Sequence, residues 1–225
     1  MILNVSTRTD IVAFYTEWFM NRYREGFADV RNPFNPKLVS RFNFDDVDAI
    51  LFCTKNPLPI LKHLKGIDEP IIFHVTLTPC KNDIEPNVIQ KSEIIEAIKE
   101  LSDIVGIDNL YIRYDPIFLS NKYNIEYHKK AFDRMCSLLN GYVKKIIVSF
   151  IYNYKNVRKN EKSLNFREFS EDLITNTDSD FYGATLLGIG QNGFISFSVR
   201  ANADTDTVLT LAPDINAYVI ITKFV

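Results

Sequence analysis

The sequence predicts a mixed α/β domain, a partial (β/α) TIM-like barrel with parallel strands, followed by an atypical β-rich C-terminal segment. Three observations carry this expectation. Short apolar runs recur at roughly 30-residue intervals with amphipathic helical stretches between them, the rhythm of βαβ units around a parallel sheet. Several runs are apolar at consecutive positions, as strands covered on both faces are. No Gly-x-Gly-x-x-Gly follows the first run, which weighs against dinucleotide binding. The periodicity alone fits a barrel and an open doubly wound sheet equally well.

Ile2 to Val5 reads as a buried first strand. Thr9-Asp10 is an N-cap signal for a helix over Ala13 to Arg24, where Phe14, Tyr15, Trp18 and Phe19 fall at helical spacing and Gly26 marks the stop. Val30 to Pro36 reads as loop, because Pro33 and Pro36 disfavour helix for themselves and their predecessors. Ala49 to Thr54 is the second strand, and a short helix follows over about Leu58 to Leu64. Ile71 to Thr78 is the third strand. Ser92 is expected to cap a helix over Glu93 to Val105 with Ile94, Ile95, Ile98 and Leu101 on one face. Leu110 to Tyr114 is the fourth strand. Tyr127 to Leu139 is a helix ended by Asn140-Gly141, and Lys145 to Phe150 is the fifth strand.

The chain changes character near residue 174. Of 26 Lys and Arg, only Arg200 and Lys223 lie beyond residue 173, no Glu follows Glu171, and half of the eight glycines fall between Gly183 and Gly193. Residues 1–173 are therefore read as the barrel-like domain. Residues 174–225 are read either as a β-rich appendage, with apolar pieces at Phe194 to Val199, Val208 to Leu211 and Ala217 to Thr222, or as a segment translated out of frame.

Composition narrows the function. A net charge of −2 and 46% hydrophobic residues imply a well-filled core and give no electrostatic case for nucleic acid. Cys53, Cys80 and Cys136 are odd in number and widely spaced, so a disulfide framework is not expected and a reducing, cytoplasmic setting is. No run approaches the length of a membrane span.

In parallel α/β folds, reactive side chains gather at the C-terminal ends of the strands, where the loops converge. Those ends carry Ser6, Thr7, Arg8 and Asp10, then Thr54, Lys55 and Asn56, then Thr76 and Thr78, then Arg113, Tyr114 and Asp115, and finally Ser149. The candidate binding set is Arg8, Asp10, Lys55, Asn56, Thr78, Arg113 and Asp115. Its cations suit an anionic group or a carboxylate-bearing cofactor of an unidentified small-molecule partner. The plainer alternative is that Arg8 with Asp10, and Arg113 with Asp115, form rim salt bridges. His74 reads as a satisfied core histidine, and His63 and His128 as solvent-facing on helices. None has metal-ligand spacing, and neither Gly-x-Ser-x-Gly nor Gly-x-x-x-x-Gly-Lys occurs. Cys53 and Cys80 read as inert buried thiols. No catalytic residue is assigned.

Several motifs together resemble the bacterial family catalogued as domain of unknown function 1848. They are MILNVSTRTD at Met1 to Asp10, VRNPFNP at Val30 to Pro36, FCTKNP at Phe52 to Pro57, TLTP at Thr76 to Pro79, DIEP at Asp83 to Pro86 and RYDPIFLS at Arg113 to Ser120. The resemblance covers about residues 1–172. It implies no established reaction. It does imply a (β/α) barrel and a C-terminal cysteine cluster, after Asp-Ile-Gly, like that holding the 4Fe–4S cluster of radical S-adenosylmethionine enzymes. Three such thiolates leave one iron open to the cofactor's methionine end. No cysteine follows Cys136, so that ligand set is missing and these cofactors are expected of full-length family members only. Back-translation of the tail across codon boundaries permits Asp-Ile-Gly within Val208 to Ala212. It permits only Cys or Arg at the Asn202/Ala203, Asn216/Ala217 and Tyr218/Val219 junctions. Three functional readings stay open: a radical S-adenosylmethionine-like enzyme in a form without its cluster ligands, a cluster-free module that binds or hydrolyses an anionic small molecule, and a non-functional truncated product.

Overall fold

The computed structural model describes residues 1–151 and the strand segments 187–190, 193–196, 207–210 and 218–221. The boundary expected near residue 174 and the Asn202/Ala203 and Asn216/Ala217 junctions lie outside the described residues, as does the side chain of Ser149.

Five strands form one sheet in the order β1 (Ile2–Asn4), β4 (Ala49–Thr54), β5 (Ile71–Thr76), β6 (Leu110–Ile117) and β7 (Lys145–Phe150). β1 runs parallel to β4, with Leu3 opposite Ile50, and β4 runs parallel to β5, with Phe52 opposite Phe73. The expected mixed α/β architecture is present. The sheet order contains no reversal of direction, unlike a doubly wound sheet. Helices α1 (Ile11–Arg24), α2 (Lys91–Val105) and α3 (Ile125–Leu139) occupy connections between strands. No helix among the described residues is long and apolar enough to cross a membrane.

The chain divides into two compact units. Unit 1 is Met1–Thr76 with Val88–Tyr111, and unit 2 is Leu77–Asn87 with Ile112–Val225. In unit 1, Val12, Ile50, Phe52, Phe73, Ile94 and Ile98 are completely buried. Phe52 stacks on Phe73 at 5.0 Å and meets Phe19 of α1 edge-on at 5.3 Å. Burying each such ring stabilises the fold by about 2–3 kcal/mol. The lower end of α1 is tied down by Tyr23, whose hydroxyl donates to Glu69 (2.6 Å) and accepts from the Asp68 amide (2.9 Å). Burial and that carboxylate push the phenol up to about 12.

Three local expectations need correction. β1 is not a buried strand: it lies at the sheet edge and Ile2 is 66% exposed. Val30 and Arg31 are not loop, because they end β2 (Phe27–Arg31), which pairs antiparallel with β3 (Val39–Asn43) so that only the turn holds Pro33 and Pro36. The short helix expected over about Leu58 to Leu64 is present as the 3-10 helix Leu58–Gly66. The cap of α2 is Gln90, not Ser92, with the Glu93 carboxylate accepting from the Gln90 amide at 3.1 Å; a carboxylate three residues inside the helix closes the box on the earlier residue.

In unit 2, Ile112, Tyr114, Phe118, Tyr123 and Met135 form the buried interior, with Cys80 packed against Phe118 and Tyr123. β6 extends past Tyr114 to Ile117. The described tail residues form two antiparallel pairs, β8 (Leu187–Gly190) with β9 (Gly193–Ser196), and β10 (Thr207–Thr210) with β11 (Tyr218–Ile221).

Candidate functional site: the strand-end clamp

In unit 1, the ends of β1 and β4 are joined through one carboxylate. Asp10 sits in extended backbone just before α1, and its Oδ1 accepts from the Ala13 amide at 2.9 Å, a side-chain N-cap. Its Oδ2 accepts from the Thr54 hydroxyl at 2.9 Å and from the Lys55 amide at 2.8 Å. Thr54 Oγ1 in turn accepts from the Asn56 amide at 2.9 Å, and Asn56 Oδ1 accepts from the Leu58 amide at 3.2 Å. A second stitch runs from the Cys53 amide to Ser6 Oγ at 3.3 Å. The loops after two neighbouring parallel strands are thus held in fixed register by side-chain acceptors.

Arg8 lies on the same loop, exposed, with Nη1 donating to the Arg31 carbonyl at 2.7 Å. The Arg8–Asp10 rim salt bridge of the plainer alternative is not formed: Asp10 accepts instead from two backbone amides and a hydroxyl, and among the described residues Arg8 has no ion pair. Its guanidinium is anchored by one contact to the β2–β3 hairpin, and no acidic side chain among the described residues compensates its charge. Ser6 and Thr7 precede it in sequence, and Thr7 Oγ1 donates to the Asn4 carbonyl at 3.4 Å.

The remaining candidates belong to unit 2. Arg113 and Asp115 do form the ion pair that the plainer reading anticipated, with Nε and Nη2 both donating to Oδ2 at 2.9 and 2.6 Å. Thr78 is buried and donates to Glu85 at 2.7 Å. Beside them Asp83 accepts from Lys122 (2.7 Å) and from the Tyr123 hydroxyl (2.6 Å). Lys122 and then Tyr123 hold the Asp83 carboxyl below the usual carboxylate range. Asp83, Glu85, Lys122 and Tyr123 were not singled out as site residues. The available signal was the Pro-bounded run Asp83-Ile-Glu-Pro86, whose acids lie in a loop immediately after a strand end.

Two of the histidines also depart from expectation. His128 is buried, not solvent-facing: Nε2 lies 2.9 Å from the Phe118 carbonyl and Nδ1 lies 3.1 Å from the Tyr114 hydroxyl. A carbonyl can only accept, so Nε2 carries the proton and Tyr114 donates to Nδ1. Burial lowers the His128 pKa and raises that of Tyr114. His63 is largely buried and contacts Glu17 at 2.9 Å. His74 is half-buried with its ring 5.0 Å from Tyr111.

The thiols do not fit the cluster implied by the family resemblance. Cys53 lies on β4, Cys80 in the loop after β5 and Cys136 on α3. Cys80 is buried among aromatic rings, and burial pushes the Cys136 thiol up to about 12, away from the thiolate a cluster iron requires. Among the described residues, no group of three or more His, Cys, Asp or Glu is placed to hold a metal ion.

A family model described as "Domain of unknown function (DUF1848)" matches residues 2–185. No curated protein and no solved structure matches the chain.

Proposed function

The chain belongs to the family of the domain of unknown function DUF1848, and from that membership and the strand-end geometry we propose that it binds a small anionic molecule through Arg8. The observation that carries this reading is the division of labour between Arg8 and Asp10. The acid that would neutralise Arg8 is taken up by Ala13, Thr54 and Lys55, while the guanidinium is pinned at the C-terminal end of a parallel strand. A guanidinium so placed offers its remaining N–H donors in the planar fork that matches carboxylate and phosphate. Lys55 and Asn56 sit on the neighbouring strand end, which Asp10 holds against this loop. Thr78, Arg113 and Asp115 stand in unit 2 and are not needed for it.

The sheet order without reversal supports reading the five strands as an arc of a (β/α) barrel, in which ligands enter at this end of the strands. S-adenosylmethionine, although cationic overall, carries a carboxylate at its methionine end that the same guanidinium could bind. That keeps the family's radical S-adenosylmethionine-like character within the proposal, but Cys53, Cys80 and Cys136 supply no iron–sulfur ligand set for it and no step is drawn through a cluster.

Thermal denaturation against inorganic phosphate, mononucleotides, dicarboxylates and S-adenosylmethionine tests the reading. At a concentration about 100-fold above Kd a genuine ligand stabilises the fold by about 2.7 kcal/mol, a rise of several degrees. A flat response across the whole panel would overturn it.

A further inference from the structure

Helix α1 carries two groups of aromatic side chains with opposite fates. Phe19 and Tyr23 pack inward against Phe44 and, for Phe19, Phe52. Phe14, Tyr15 and Trp18 turn outward, 71%, 50% and 45% exposed. Among the described residues these three have neither an aromatic partner nor a cation over the ring. The backbone of Tyr15 (φ −136°, ψ 23°) interrupts the helix between them. All three line an open groove of about 680 Å³ within unit 1, whose other wall is the 3-10 helix Leu58–Gly66. Two carboxylates and one ammonium complete the lining: Glu17, Glu100 and Lys62.

The charges are not equivalent. Lys62 is held by Glu17 at 3.1 Å, and His63 shares the same oxygen at 2.9 Å, so Lys62 and Glu17 balance each other. Glu100 has no ion pair among the described residues. Among the described residues the groove therefore presents one carboxylate without an ion pair and three exposed aromatic side chains. Each ring face is the negative end of a quadrupole. A group matched to this lining is apolar on its surface and positively charged. A hydrated metal ion would not use the rings, and a neutral hydrocarbon would not use Glu100. The volume lies in the range of small-molecule sites.

We propose that this groove binds a small organic cation carrying an alkylated ammonium, with Phe14, Tyr15 and Trp18 providing ring faces and Glu100 the counter-charge. The site is separate from Arg8 and takes a ligand of opposite sign.

Trp18 is the only tryptophan in the chain, so its fluorescence reports on the groove directly. The test is a titration of the full chain with choline chloride at constant ionic strength. A parallel titration uses choline's neutral isostere, in which a tert-butyl group replaces the trimethylammonium. The expected result is a saturable emission change with choline and roughly tenfold weaker binding of the isostere. Glu100→Gln should raise the choline Kd several-fold with an unchanged circular dichroism spectrum, and Tyr15→Leu should act in the same direction. Either variant is at an exposed position, which keeps the test independent of folding. Three outcomes would overturn the proposal: no saturable change up to about 50 mM choline, equal binding of the isostere, or a response to phosphatidylcholine vesicles without one to choline. An emission shift that follows protein concentration alone, with a dimer in light scattering, would instead assign the groove to a second copy of the chain and would also overturn it.

Discussion

Asp10 gathers three donors from two elements, and Arg8 keeps its charge as a consequence. Removing the Asp10 carboxylate deletes an N-cap and leaves the buried Thr54 hydroxyl and the Lys55 amide without their acceptor. Asp10→Ala should therefore cost about 1–3 kcal/mol in urea unfolding, with Asp10→Asn costing less because one amide oxygen remains to accept. His128 gives a pH dependence of defined sign. Its folded-state pKa is lowered by burial from the ordinary histidine value of 6.5, so the unfolded chain takes up the proton first as the pH falls. The stability it contributes is present above pH 6.5 and is lost below it, as the pH moves towards the depressed folded value. Unfolding free energy measured from pH 7.5 to 5.5 should fall in wild type and fall less steeply in His128→Gln. The N-cap role of Asp10 was legible in Thr9-Asp10 ahead of an apolar helical pattern. Its grip on Thr54 and Lys55 was not, because those residues are brought to it only by the pairing of β1 with β4. The same limit applies to His128: its helix was readable but its inward face was not, because the Tyr114 hydroxyl of β6 and the Phe118 carbonyl just beyond that strand receive the ring.

At the scale of elements, α2 shows a pattern that the sequence announces and the core confirms. Ile94, Ile98 and Leu101 recur at helical spacing and are completely buried, and Ile95 is only partly so. Ile98→Ala should cost about 2–5 kcal/mol through lost burial and the cavity left behind, lowering the urea midpoint with little change in slope. Ile95→Ala should cost less. The β2–β3 hairpin is the contrary case. Every position of β3 is exposed, so the strand shows no buried alternation for a reader to find, and the two prolines of the connecting turn dominate the local signal. What holds the ribbon is at its surface: Arg41 pairs with Asp29 through two nitrogens at 2.8 and 2.7 Å and lies 4.0 Å over the Phe27 ring. Arg41→Ala should raise amide hydrogen exchange across both strands while leaving α2 unchanged. Because the Arg31 carbonyl that anchors Arg8 belongs to this hairpin, the same variant should also weaken the proposed anion binding.

At the scale of the molecule, the order of the parallel strands follows from the recurrent apolar runs, which is why the α/β class could be read from the sequence. The division into two compact units could not, since it cuts through continuous stretches of chain: the segment Leu77–Asn87 joins unit 2 while Val88–Tyr111 returns to unit 1. Arg8, Asp10, Lys55 and Asn56 fall within unit 1, and Thr78, Arg113 and Asp115 within unit 2. The central claim concerns the unit 1 members alone. It is tested most directly by isothermal titration of the best anion from the panel into wild type, Arg8→Gln and Arg134→Gln, the last changing the net charge equally at an exposed position of α3. Loss of one charge-assisted contact corresponds to a Kd roughly ten- to a hundredfold weaker in Arg8→Gln, with Arg134→Gln matching wild type. Equal affinity in all three proteins would contradict the account.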